Sequence, residues 1–312
     1  MRFPAGELSD SVARLPIMEL ATAARVGAGS PPDAVFKDAF SVNRSSCFAF
    51  RRLLITISVL YFVCFAGTRS CNAGEWTDYR QVGRFFVRSE FPIDQHRGLA
   101  SFLTDLGEHE ADIVATLGLE RSDELIVISL CDSRRSFVET IRSVAPEAVR
   151  RRAVYVRGED AGHVYCYLHR DLIIDLRHEL THAILHSMLR FLPIWLDEGL
   201  AEYFEMPPEQ RASGHPSQKR VALSAKIGLT WRPGLTRLEA KDSLTEIRHS
   251  HYREAWAWVH YLLHGPPEVT RLLQRYLLTI QAEQPPGPFS AHLKQLLPAP
   301  ERALTAHLKS WK

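Results

Sequence analysis

Cysteine is scarce in this 312-residue chain: Cys47, Cys64, Cys71, Cys131 and Cys166 are the five, and none has C-x-x-C spacing. A zinc knuckle and a thioredoxin-like redox motif are thereby excluded. Charge of one sign is lacking as well. With 38 Lys and Arg against 36 Asp and Glu, the formal net charge of +2 points to no nucleic acid or other charged partner. The run Arg150-Arg151-Arg152 has no basic surroundings and reads as a solvated face. Repeats and low-complexity tracts are absent. What is present, 46% hydrophobic and 24% charged residues, describes a globular chain able to bury a sizeable core.

The first fifty residues carry no sustained period of 2 or 3.6 and are rich in Ala, Gly, Pro and Ser. They read as disordered, or as an extension the mature protein lacks. Arg51 and Arg52 then precede a 15-residue apolar run, Leu53 to Gly67. That is short for crossing a bilayer and suits the apolar centre of a signal peptide spanning 51–73, with Cys71-Asn72-Ala73 as a small-x-small cleavage site. A retained membrane anchor through 53–67 is the competing reading. Either way the expectation is export, to the periplasm, the cell envelope or the exterior. Cleavage after Ala73 leaves Cys131 and Cys166, as one disulfide or as two buried thiols.

From residue 74 to 312 the pattern reads as one α+β domain ending in a mostly helical lobe. "RFFVRSEF" (84–91) alternates like a strand, and "ELIVISLC" (124–131) is a short apolar β run. Between them, residues 95–117 keep near-helical apolar spacing, and another helix starts near Ser133. "RAVYVRG" and "HVYCYLH" flank Glu159-Asp160-Ala161-Gly162 as a hairpin. Two helices fill about 171–205. Residues 206–220 read as a polar Pro- and Gly-containing loop near the active-site entrance. "YREAWAWVHYLLHG" (252–265) is a helix stopped by Gly265-Pro266-Pro267. Further helices are expected around 269–281 and 299–310.

The chemistry concentrates in one stripe. Asp175, His178, Glu179, His182 and His186 fall within an arc of roughly 100° on a helix, whereas Leu176, Leu180, Ala183, Ile184, Met188 and Phe191 take the other side. A narrow band of imidazoles and carboxylates on an otherwise apolar helix calls for a cation or an aqueous cleft. His178-Glu179-Leu180-Thr181-His182 is H-E-x-x-H. Four residues apart, the two imidazoles share a face and can converge on one Zn²⁺, with Glu179 beside them as a base. His186 lies a further turn along and cannot join the same tetrahedron. It reads as a core or supporting histidine. A third ligand is then needed, and Glu198 and Glu202 on the following helix are placed to face the first pair.

The pair of motifs, H-E-x-x-H followed by Trp195-Leu196-Asp197-Glu198-Gly199-Leu200-Ala201-Glu202-Tyr203, resembles the gluzincin metallopeptidases, whose third ligand is the Glu before the Gly. Two departures are visible: 15 residues separate His182 from Glu198, fewer than in the aminopeptidases with a similar motif, and no G-x-M-E-N stretch occurs. With Tyr252, Trp256 and Ala257 on a later helix, the chain is more similar to small bacterial peptidase-MA-like domains, over about residues 150–265. The resemblance implies a zincin-like fold: a small mixed β-sheet over an active-site helix, its edge strand free to pair with an extended peptide.

It further implies one Zn²⁺ per chain held by His178, His182 and Glu198, with Glu179 as general base on a water nucleophile. The expected activity is hydrolysis of a peptide or protein substrate. Tyr252 is the candidate oxyanion donor, with His249 and His251 as weaker rivals. Asp175, Asp197 and Glu202 are candidates for orienting the ligand imidazoles. A zincin-like binding domain without activity is the alternative, and a purely structural zinc site lacks a fourth ligand.

Overall fold

The computed structural model describes residues 75–227, 232–241, 243 and 248–311, all within one compact unit, Ser70–Lys312. The expectations for 1–50 and 51–73, Cys47, Cys64 and Cys71 included, lie outside the described residues. Among those described, no helix is long and apolar enough to cross a membrane.

The architecture is mixed α and β. Five short strands form one sheet: β1 (Asp78–Val82), β2 (Phe85–Ser89), β3 (Ile126–Cys131), β4 (Ala153–Arg157) and β5 (Gly162–Tyr167). Their order is β1-β2-β3-β5-β4, so β4 is an edge. β1 and β2 form a hairpin turning at Gly83, whose φ of +56° favours glycine. β2, β3 and β5 run parallel, and the hairpin return sets β4 antiparallel to β5. Parallel neighbours need crossovers. The first uses α1 (Arg97–Thr104) and α2 (Leu106–Leu117), the second α3 (Arg134–Ile141), whose N-cap Ser133 accepts from Ser136 N–H. The single helix expected over 95–117 is thus broken in two at Asp105.

Parallel register decides the fate of the cysteines. Cys166 lies opposite Leu130, so Cys131, one residue on, points to the other face. Cys166 packs with Val164, Leu176 and Leu180, while Cys131 packs with Phe137, Ile141 and Val154. Both thiols are free and buried, and burial pushes Cys131 up to about 12. The possible disulfide between them is corrected: they face opposite sides of the sheet.

From 172 on, all nine elements among the described residues are helices. α4 (Leu172–Met188) lays Leu176, Leu180, Ala183 and Ile184 against the sheet, and α5 (Ile194–Phe204) folds back beside it. α6 (Pro208–Arg211), α7 (Gln218–Ile227) and α8 (Leu235–Glu239) follow, then α9 (His249–His264), α10 (Pro267–Gln281), α11 (Phe289–Leu296) and α12 (Pro300–Lys309). The expected polar loop at 206–220 is not simply an entrance loop. It holds α6 and the start of α7, and its Arg211 and His215 are each only 4% exposed. Arg211 pairs with Asp112 and lies over the Phe204 ring, so a charged residue in that stretch is a structural pin.

α5 crosses α9 at Gly199 with no room for a side chain. A Cβ there would lie 2.8 Å from the carbonyl oxygen of Ala255 and 2.8 Å from Val259 Cγ2. A backbone atom cannot step aside as a side-chain end can. Gly199→Ala should therefore destabilise the fold by about 1–3 kcal/mol through overpacking. A urea midpoint indistinguishable from wild type would contradict the close crossing.

The far end of α9 binds α12 through histidines. His260 donates from Nε2 to the Ala212 carbonyl at 3.1 Å, which leaves Nδ1 to accept from His307 Nε2 at 3.0 Å. Burial, then the neighbouring His264, pushes His260 down to about 3 from the usual 6.5. It therefore stays neutral in the fold while the unfolded chain takes up a proton below about 6.5. Stability is retained above that pH and falls toward pH 3, by up to about 1.4 kcal/mol per pH unit from this residue. Urea midpoints at neutral and mildly acid pH should drop less for His260→Gln than for wild type. Equal drops would show that His260 is not held neutral.

Candidate metal centre

His178 and His182 project from one face of α4, because four residues make about one turn. Their Nε2 atoms lie 3.3 Å apart. From α5, Glu198 brings Oε2 to 3.6 Å from His178 Nε2 and 3.8 Å from His182 Nε2. Three donor atoms from two helices thus close a small triangle, and His182 and Glu198 are 8% and 5% exposed.

The outer nitrogens settle the tautomers. His178 Nδ1 lies 3.0 Å from Glu205 Oε2, and His182 Nδ1 lies 2.8 Å from Asp197 Oδ1. A carboxylate only accepts, so each Nδ1 carries a proton, and in the neutral ring each Nε2 turns a lone pair toward the triangle. Two lone pairs and a carboxylate oxygen facing one another in a buried space repel unless a cation lies between them. Burial opposes charge on His178, yet Glu198 and Glu205 outweigh it and lift the ring well above the usual imidazole value. These three side chains form a group that could hold a metal ion. No protein-family model and no curated protein matches the chain.

Glu179 is held apart from the triangle. Its Oε2 accepts from the Tyr155 N–H of edge strand β4 at 2.7 Å, and the side chain lines an open cleft of about 500 Å³. The same cleft is lined by His182, Glu198, Tyr155, Leu192 and Ile194. The metal-binding face and the edge strand therefore open onto one space, apolar at the Leu192–Ile194 end.

Several expectations are refined here. Of the carboxylates expected to orient imidazoles, Asp197 does so: its second oxygen also takes His186 Nε2 at 2.9 Å, and the two histidines keep it well below the usual carboxylate range despite burial. His186 is thus tied to the site through Asp197, with its ring edge against Tyr155. Asp175 is not in this role. It is bound by Arg152 Nε at 2.8 Å and by His169 at 3.4 Å, and burial raises its pKa. Glu202 faces His215 Nε2 at 3.3 Å, leaving His178 to Glu205.

Glu205 is therefore the orienting residue missed in the sequence. The signal was there: Glu198, Glu202 and Glu205 follow i, i+4, i+7 spacing on one helix face. Glu202, Glu205 and His215 form a further group of metal-binding residue types. Its chemistry argues otherwise. His215 Nδ1 accepts from Ser217 N–H at 3.1 Å, so the ring proton sits on Nε2, the atom a metal would need. His215 Nε2 lies at ion-pair distance from both carboxylates, 3.3 Å from Glu202 and 3.4 Å from Glu205.

Tyr252 lies in the first turn of α9, half-buried. Burial and then Glu198 push its phenol up to about 12, with Glu202 and Glu179 adding to the rise and Arg151 opposing it. Of its two rivals, His251 accepts from Arg248 N–H at 3.2 Å as part of the helix cap, and His249 is exposed. Both are corrected: one is a cap, and the other points into solvent.

Proposed function

We propose that the chain is a zinc-dependent peptidase of the gluzincin type, with a zincin-like fold. The observation that carries this reading is the triangle His178–His182–Glu198 with protonated Nδ1 atoms facing outward onto Glu205 and Asp197. Zinc–ligand bonds of about 2.0–2.1 Å in a tetrahedron put ligands about 3.3 Å apart. Edges of 3.3, 3.6 and 3.8 Å come close to that spacing. Zn²⁺ when bound acidifies a water and polarises the scissile carbonyl.

The chain's own residues do the rest. Glu179 takes the proton of the attacking water and passes it to the leaving amine. Asp197 and Glu205 hold His182 and His178 in the binding tautomer. Tyr252, kept protonated by its surroundings, offers an O–H to the oxygen that becomes negative. β4 offers the edge groups left beside the Tyr155–Glu179 hydrogen bond to an extended substrate. Three protein ligands also leave a fourth position open, which separates a catalytic site from a closed structural one.

The test uses the full chain. Metal analysis should find about one zinc per molecule, since one such triad holds one ion. A mixed peptide library should be cleaved in a chelator-sensitive way. Stoichiometric zinc with no cleavage would favour the binding-domain alternative, and no zinc at all would reject both.

A further inference from the structure

β4 runs alongside α4 in the same direction. Arg152 reaches Asp171 at 3.0 Å and Asp175 at 2.8 Å near the helix start. Tyr155 meets Glu179 in the middle, and Arg157 bonds the Arg190 carbonyl at 3.3 Å beyond the helix end. The cleft therefore has two unlike ends: Leu192 and Ile194 lie past the C-terminus of α4, and Arg151 lies in the bend just before β4.

Arg151 and Arg152 are neighbours with different fates. Arg152 is neutralised by two aspartates. Arg151 lines the cleft with Glu179, His182 and Glu198, and among the described residues no carboxylate pairs with it. The side chain is exposed, and its charge opposes the push of burial and Glu198 on the Tyr252 phenol. The remaining formal charges in the lining are carboxylates: Glu179, Asp197 and Glu198. Those would repel an anionic ligand unless a cation met it.

We propose that Arg151 selects substrates bearing a carboxylate, gripping it as a guanidinium fork at the polar end of the cleft. Arg151 stands four residues before Tyr155, at most about 13 Å along the chain, with a bend at 151–152 leading into β4. A peptide lying on β4 would thus carry that carboxylate within about four residues of the bond opposite Tyr155. Arginine suits the task because its planar donors match a carboxylate bidentately. An acidic side chain and a free C-terminus supply the same chemistry. In naming the substrate of a peptidase, this inference rests on the reading above, but its test does not require hydrolysis.

The probe is binding to the zinc-loaded, full-length Glu179→Gln chain, measured by calorimetry. Three short acetylated, alanine-rich peptides are compared: one with a free C-terminal carboxylate, one amidated, and one amidated with a glutamate near its end. The free acid or the glutamate peptide should bind about tenfold or more tighter than the neutral amide. Whichever does so identifies the source of the carboxylate. Arg151→Gln in the same background should erase the difference. Equal binding of all three, no binding of any, or a preference that survives Arg151→Gln overturns the proposal. Cleavage of the same peptides by the wild-type chain is scored separately. Arg151-dependent discrimination without cleavage would sink the peptidase reading and leave carboxylate recognition standing.

Discussion

Replacing Glu179 with Gln is expected to lower peptide hydrolysis by about 10²–10⁴-fold while leaving bound zinc in place. The two halves of that outcome have separate causes. Glu179 contributes no atom to the His178–His182–Glu198 triangle, so metal affinity does not depend on it. Its Oε2 accepts from Tyr155 N–H, and a glutamine oxygen can accept the same hydrogen bond, which keeps helix and edge strand in register. An amide cannot take up the proton of a water at neutral pH. Turnover measured beside zinc content separates the two effects. A Glu179→Gln chain that keeps wild-type activity would end the proposed mechanism.

The second large effect is on the metal. His178→Ala or Glu198→Ala removes a corner of the triangle and should leave the purified chain without stoichiometric zinc. Glu205→Gln should act more gently, weakening zinc about 10–100-fold, because it alters the hydrogen bond that orients His178 rather than a ligand. Glu202→Ala should change affinity least, since Glu202 touches His215 and no ligand. Competition with a chromophoric chelator gives the order. If Glu202→Ala costs more affinity than Glu205→Gln, the orienting carboxylate has been assigned one turn too far along.

These residues were legible in the sequence to the extent that their geometry is local. That His178, His182 and Glu198 come together was legible because helical spacing alone brings His178 to His182, and one short turn brings Glu198 opposite. Glu205 shared that spacing and was overlooked in favour of Glu202. Which of the two reaches His178 depends on how α5 crosses α4, a tertiary angle that no spacing records. His215 was hidden for another reason. It lies in a Pro- and Gly-containing polar stretch, and only long-range contacts with Glu202 and Glu205 bury it.

The fold shows the same division. β3, β4 and β5 announce themselves as apolar or alternating runs closed by turn residues. β1, "DYRQV", is an edge with no buried side chain, so it carries no apolar alternation to read. α8 and α11 are short and flanked by proline or glycine, below the length at which a period is visible. The free thiols show how register overrides proximity. Cys131 and Cys166 are on neighbouring strands, yet a one-residue offset sends them to opposite faces.

The helical hairpin has a consequence for the order in which the protein can form. Each residue of the candidate metal triad, and each carboxylate that orients one, falls between positions 178 and 205. The sheet, by contrast, must pair Phe85 with Ile126, across two intervening helices. Loop-closure entropy grows with the logarithm of length, and pairings distant in sequence slow folding. The donors are thus close in sequence, whereas the sheet depends on distant pairings. Edge strand β4 takes its place over Glu179 as one part of that sheet. If folding follows sequence distance, the donor triangle closes before the strand above Glu179 is in place.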